Sequence, residues 1–433
     1  MEESPFYDRE LETSSRERLR ELQNEKLLRL MSELETNEFY NQKLRAAGLA
    51  LADVRSIEDL RSLPFTTKAE LVEEQKSHPP FGRLLTYPRS RYPYFHQTSG
   101  TTGNPLRWLD TQESWDCWRR CWGFVFRGAG VTADDIVFLA FSFGPYISHW
   151  IAISGAWHIG AMCISGGGLN SLQRLNVILD NRCTVLLCTP TYALHLAEVA
   201  REHGLDLRSS ALRLGIHAGE PGASVPNVKR MIEDSFAMRV FDHAGATEVG
   251  AWGFACGAAE SPMHLNEADF IFEVIDPTSG LPAAERERGE LVITNLSRPG
   301  MPVLRYRTGD LVEITTEPCS CGRRMAWVKG GVLGRVDDML FVRGVNVYPS
   351  MIDNIIRAVP EITEYEVELR RVRGLDDLFI RIETARDRAA DGVISRLTDL
   401  FRQQLNIRVN IERAEAGSLP RYEFKARRYK RIN

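Results

Sequence analysis

The densest polar run in the chain is His96-Gln97-Thr98-Ser99-Gly100-Thr101-Thr102-Gly103-Asn104-Pro105. From Thr98 to Gly103 it holds only hydroxyl residues and glycine. Glycines let backbone N–H groups turn toward an anion and hydroxyls add donors, so such a loop can cradle phosphates. No Gly-Lys-Ser/Thr end follows, which excludes a Walker loop. By composition alone a flexible turn is the commoner account. Three further segments carry isolated charges. Ala244-Gly245-Ala246-Thr247-Glu248 puts one carboxylate after a run of small residues, a pattern shared with helix caps. Tyr306-Arg307-Thr308-Gly309-Asp310 reads as a strand running into a turn, with Asp310 exposed. Gly334 to Pro349, which includes Arg335 and Asp337, reads as a polar turn between strands or as a linker. Near the end, Arg421-Tyr422-Glu423-Phe424-Lys425-Ala426-Arg427-Arg428 gathers cations, and alone it reads as a solvated basic tail. Finally, Cys256, His264, Cys319 and Cys321 offer three thiolates and one imidazole, a set suited to tetrahedral structural zinc. The Cys-x-Cys spacing is tight for zinc, and the residues alone fit unrelated thiol-bearing turns equally well.

These segments need a scaffold, and the chain has one to offer. At 433 residues it can form two or more domains. A net charge of −4 argues against a general nucleic-acid binder, whose phosphate contacts need a basic surface. The charge is uneven: there is no Asp, Glu, Lys or Arg from Ile136 to Gln173. Gly144-Pro145, His149 and Gly166-Gly167-Gly168 punctuate that stretch, so it reads as buried strand, loop, helix and strand rather than a membrane span. The eight cysteines read as buried reduced thiols, and the acidic start shows no secretory signal, so a cytoplasmic location is expected. Residues 14–31 predict an amphipathic helix, and Thr66 or Thr67 is expected to cap another. From about 130 to 217, apolar strands alternate with a helix, the rhythm of an α/β domain with a mainly parallel sheet. After about 265, Phe270 to Ile275 and Gly289 to Thr294 predict a β-rich subdomain. The last hundred residues predict a small α+β domain.

Taken together, in this order and spacing, the motifs resemble the adenylate-forming superfamily of acyl-CoA synthetases, and most closely the phenylacetate–CoA ligase family. Leu63-Pro64-Phe65-Thr66-Thr67-Lys68-Ala69-Glu70-Leu71, His217-Ala218-Gly219-Glu220-Pro221 and Arg343-Gly344-Val345-Asn346-Val347-Tyr348-Pro349 carry the same likeness. The resemblance spans nearly the whole chain. It implies a large adenylation region over 1–336 and a small mobile domain over 337–433, hinged near Asp337.

By the same resemblance, Ser99, Gly100, Thr101, Thr102 and Gly103 would wrap the phosphates of ATP, and Glu248 would help hold Mg²⁺. Gly219, Glu220, Pro221, Ala244 and Thr247 would border the nucleotide. Asp310 and Arg335 would reach the ribose. Lys425 would be the catalytic lysine, a cation that lets a carboxylate approach an already anionic α-phosphate. Phe141, Tyr146 and His149 would line the acid pocket, whose aromatics and glycines suit a flat aryl acid such as phenylacetate or a benzoate. Relatives with a similar Cys/His set favour the zinc reading. The expected acceptor is coenzyme A; a carrier protein or an amine would use the same activated acid, and oligomeric state stays open, a homodimer included. A degenerate nucleotide-binding relative is the non-enzymatic alternative. Three features depart from the family pattern. Ala244 stands where an aromatic usually stacks on adenine, the phosphate loop lacks its usual nearby lysine, and Tyr422-Glu423-Phe424 replaces small polar residues.

Overall fold

In the computed structural model, which describes residues 5–98, 105–258, 262–343, 345–372, 375–384, 390–422 and 426–432, the charge-free stretch forms the start of a parallel sheet. The strands Ile136–Leu139, Met162–Ser165, Val185–Cys188, Leu214–Ala218 and Arg239–Ala246 pair in parallel. Alternation sends neighbouring side chains to opposite faces. Val137, Leu139, Val185 and Leu187 enter one core with the helices Gln112–Ala129 and Ile147–His158. Phe138, Leu186 and Cys188 enter a second core with Ser171–Asp180, Pro190–Glu202 and Pro226–Phe236. Both faces are covered, which is why the inner strands Ile136–Leu139 and Val185–Cys188 are apolar throughout. No helix among the described residues is long and apolar enough to cross a membrane.

Ile136–Leu139 lies between Met162–Ser165 and Val185–Cys188. The chain therefore steps outward after the first of these strands and returns past it, creating a topological switch point. Crevices at such points, beyond the carboxyl ends of strands, are where α/β sheets bind ligands. Arg174 is buried at this crevice and donates to the carbonyls of Gly166 (3.0 Å) and Ala140 (3.2 Å).

The predicted β-rich part continues the same sheet. Gly250–Ala255, Met263–Leu265, Trp327–Val328, Tyr306–Thr315, Arg288–Asn295 and Phe270–Ile275 add to its edge in antiparallel fashion. At the front, Ser15 caps the helix Arg16–Glu33, and Thr67 and Glu70 form a capping box on Lys68–Ser77.

The C-terminal region has its own sheet, in the order Asn410–Arg413, Leu375–Thr384, Ile362–Val372, Tyr429–Ile432. The helices Pro349–Arg357 and Ala390–Leu405 cover it. The solvated-tail reading of the last residues is corrected here. Tyr429–Ile432 pairs in parallel with the central strand, Val367 opposite Tyr429, and Arg428 is buried against Glu364. Leu340–Val342 and Val345–Val347 form a small hairpin where the sequence suggested a turn or linker.

Candidate active site

The motifs meet where the parallel strands end. Gly219, Glu220 and Pro221 follow Leu214–Ala218, and Ala218 is in register with His243 on the next strand. Ala244 therefore stands beside the Gly219 turn, half-buried and paired across the sheet with Gly253. These two adjacent small residues leave no aromatic bulk beside the turn. The phosphate-loop candidates Ser99, Gly100, Thr101, Thr102 and Gly103 lie outside the described residues, as does Lys425. The base of the loop is well defined. Gln97 pairs with Arg107, the Thr98 N–H donates to the Leu106 carbonyl at 2.9 Å, and the Leu106 N–H returns to Thr98 Oγ1 at 3.0 Å.

Glu248 is buried and accepts a 2.7 Å hydrogen bond from the Tyr306 hydroxyl. Burial, then the Glu248 charge, push that hydroxyl's pKa well up, so it remains a donor. Lys68 brings its ammonium to 3.8 Å from Glu248. This lysine belongs to the Leu63–Leu71 motif, but its proximity to Glu248 was not foreseen. Thr66 accounts for it: its N–H donates to the Arg305 carbonyl and its carbonyl accepts from Arg307, fastening the motif along Tyr306. Beneath them, Asp110 and Arg298 form a fully buried bidentate pair at 2.8–3.0 Å, and Arg298 also donates to the Thr247 carbonyl at 3.2 Å. That pair joins the strand below the phosphate loop to the residue before Glu248.

The structure corrects the reading of Tyr306 to Asp310. The strand does not end at a turn; it runs from Tyr306 to Thr315 with a bulge. Val292 opposes Arg307 while Glu290 opposes Leu311, so residues 308–310 swing out of the ladder. Gly309 permits this at φ +76°, and an added Cβ there would stand 2.6 Å from the Arg335 guanidinium. Asp310 is half-buried and paired with Arg335 at 3.4 Å. Arg335 also bonds Asp337 at 3.0 Å, and Asp337 is exposed just before the C-terminal hairpin.

At the switch point, Phe141 and His149 are buried, and Phe143 packs on His149 with ring centroids 4.7 Å apart. Gly167 lets the Phe143 ring approach, since a Cβ there would be 2.4 Å from it. His149 Nε2 lies 3.4 Å from the Ser165 hydroxyl, and burial lowers its pKa, keeping it neutral at pH 7. Tyr146 is 38% exposed and marks the rim rather than the interior.

Cys256, His264, Cys319 and Cys321 converge, with all four ligand atoms within 4.8 Å of one another. Zinc bound to sulfur at about 2.3 Å sets tetrahedral edges of about 3.8 Å. Cys256 and Cys319 sulfurs are 3.8 Å apart, and Cys321 Sγ lies 3.4 Å from His264 Nε2. His264 Nδ1 faces the Met325 carbonyl at 3.3 Å, which leaves Nε2 free to ligate. The donor set thus fits zinc. Cys117, Cys121 and Asp269 also cluster, but Lys26 and Arg120 already pair with Asp269, so the cluster lacks an unmatched negative charge for a cation.

Comparison with known proteins follows the geometry. The family model for AMP-binding enzymes matches residues 18–297, and that for the AMP-binding enzyme C-terminal domain matches 344–430. The chain is 33% identical to phenylacetate-coenzyme A ligase of Thermus thermophilus, over 88% of this chain and 84% of that one. The phenylacetate-coenzyme A ligase of Escherichia coli is 31% identical over 96% and 95%. The chain belongs to the phenylacetate–coenzyme A ligase family of AMP-binding enzymes.

As a family member, it is an AMP-forming acid–thiol ligase. Among solved structures it resembles 2-hydroxyisobutyryl-CoA ligase in the postadenylation state, with a TM-score of 0.94, 28% identity and coverage of 99% of this chain and 93% of that one. Against the same ligase in the thioesterification state, at 29% identity and 99% and 92% coverage, the TM-score is 0.75. The chain thus adopts the first domain arrangement. Its C-terminal segment is docked accordingly. Arg421 bridges Glu198 and Glu383, each at 2.8 Å, and the Ala426 N–H donates to Glu220 at 3.0 Å. Burial works to raise the Glu198 pKa, but His195 and Arg421 outweigh it and hold the carboxyl down at about 2.

Proposed function

We propose that this ligase activates an aryl acid, such as phenylacetate or a benzoate, and passes it to coenzyme A. A carboxylate oxygen attacks the α-phosphorus of ATP, the α–β bridge bond breaks, and pyrophosphate leaves. The thiol sulfur then attacks the acyl carbon, AMP leaves, and the thiol proton passes to solvent. One observation carries this reading: the Glu248 carboxylate, oriented by Tyr306 and flanked by Lys68, stands at a strand end whose neighbouring turn is Gly219–Pro221. Glu248 would hold Mg²⁺, which offsets phosphate charge. Lys68 restores near that position the cation that the phosphate loop lacks. Asp310, paired with Arg335, suits the ribose hydroxyls. Phe141, Phe143 and His149 favour a flat apolar acid at the switch point, with Tyr146 at its rim. Asp337 would act as the hinge between the large region and the small domain, withdrawing Lys425 after adenylation.

The test is pyrophosphate release across a panel of aryl and short aliphatic acids, with thioester detection when coenzyme A is added. Aryl acids should give both products. Adenylation without thioester would turn the reading toward a carrier-protein or amine acceptor. Silence across the panel would favour a nucleotide-binding relative, the reading that Ala244 supports best.

We further propose that Cys256, His264, Cys319 and Cys321 hold structural zinc, which would tie the end of Gly250–Ala255 to the 319–325 loop. The wild type should carry about one zinc per chain, and Cys321→Ser should lose it with about 3 kcal/mol of stability. Metal analysis and thermal melts check this; a metal-free wild type with an unshifted variant would dismiss it.

A further inference from the structure

The structure assigns Glu220 a positioning role: its carboxylate fastens the C-terminal segment that carries Lys425 against the large region. This rests on the adenylating function proposed above and gives Glu220 a task beyond bordering the nucleotide.

A carboxylate has two acceptor oxygens and no donor. Glu220 Oε1 accepts the Thr191 N–H at 2.9 Å, in the first turn of Pro190–Glu202. Orphan N–H groups and the dipole favour a carboxylate there. With one oxygen fixed, the other is aimed at the Ala426 N–H, which it accepts at 3.0 Å. Ala426 directly follows Lys425, and its N–H belongs to the planar peptide that also contains the Lys425 carbonyl. Holding this N–H therefore restrains the chain immediately after the lysine.

The same helix provides both flanking contacts. Thr191 and Glu198 are seven residues apart, two turns along one face. Arg421 reaches Glu198 at 2.8 Å, and Arg428 reaches Thr191 Oγ1 at 3.4 Å. In the chain Ala426 falls between Arg421 and Arg428, and among the described residues its bond to Glu220 is the contact nearest to Lys425. When the small domain turns for thioester formation, the Ala426–Glu220 bond must break. Glu220 thus stabilises the adenylation arrangement and has no part in the second one.

Glu220→Ala and Glu220→Gln test this with three readouts. In the first half-reaction, ATP–pyrophosphate exchange should lose about tenfold in turnover, the equivalent of one lost hydrogen bond, with KM for ATP little changed. In the second, thioester formation from saturating, chemically prepared acyl-adenylate and coenzyme A should lose much less than the first. Independently of activity, backbone hydrogen exchange in the peptide containing 426–430 should speed up about tenfold in the ligand-free Glu220→Ala protein. A raised ATP KM at constant turnover would overturn the proposal in favour of a purely nucleotide-bordering side chain. Equal loss in both half-reactions, or unchanged hydrogen exchange, would overturn it as well. A wild type that exchanges no pyrophosphate would instead strike the functional reading, while the hydrogen-exchange result would still decide the fastening.

Discussion

Lys425→Ala should reduce ATP–pyrophosphate exchange by about 10²–10³-fold, the loss typical of removing one group aimed at developing transition-state charge. Thioester formation from prepared acyl-adenylate should survive largely intact. The first step brings a carboxylate against an anionic phosphate and builds charge on its oxygens, whereas the second uses a thiol and an already activated carbonyl. Four of the neighbouring cations in the tail are already engaged by carboxylates. Arg421 is held by Glu198 and Glu383, Arg428 by Glu364, Lys430 by Glu366 and Arg431 by Asp376. Rapid-quench measurement of the two half-reactions separates the effects. Undiminished exchange in the variant would remove Lys425 from the chemistry.

Arg298→Met should destabilise the protein by about 3–5 kcal/mol, because it leaves the Asp110 carboxylate buried without its partner. The guanidinium is only 2% exposed and stacks over Trp118 at 4.4 Å, so water cannot take its place. The double variant Asp110→Leu/Arg298→Met should recover much of this stability, since an apolar pair of similar volume leaves no orphan charge. Activity should not recover with it. Arg298 also holds the Thr247 carbonyl, so its loss frees the backbone beside Glu248. Denaturant unfolding and pyrophosphate release on the three variants would show stability and catalysis separating. A single variant as stable as the wild type would show that the pair does not hold this part of the fold.

Much of the scaffold was legible because its cause is local. The strands at 136, 185 and 270 are apolar runs bounded by turn residues, and an N-cap at Thr66 or Thr67 was expected, which the structure places at Thr67. The four Cys and His positions were half legible: their types suit zinc, but their spacing fits unrelated turns equally well, and only the fold brings them within 4.8 Å of one another. The bulge at 308–310 was not, because it arises from a register mismatch with Arg288–Asn295 that no residue of the 306–310 motif announces. Nor was the meeting of Lys68 with Glu248, 180 positions apart, which depends on Thr66 bonding beside Tyr306. Asp110 and Arg298 were equally hidden, since charged residues are ordinarily surface features and only the packed structure buries this pair. Glu220 was singled out for its neighbourhood, but its two hydrogen-bond partners come from other elements.

The final strand has a kinetic meaning. A cation on a free tail would have to search for its phosphate at every turnover, and its effective concentration would be set by the tether's length. Here the chain is tied down on both sides of Lys425: Arg421 is bonded to Glu383 in the small domain's sheet, and Tyr429–Ile432 is a strand of that same sheet. On the proposed domain rotation, the segment that carries Lys425 would therefore travel with the small domain, attached to its sheet on both sides. Its delivery would then be governed by a single rotation, and much of a free tail's search entropy would be lost once, during folding, instead of in each catalytic cycle.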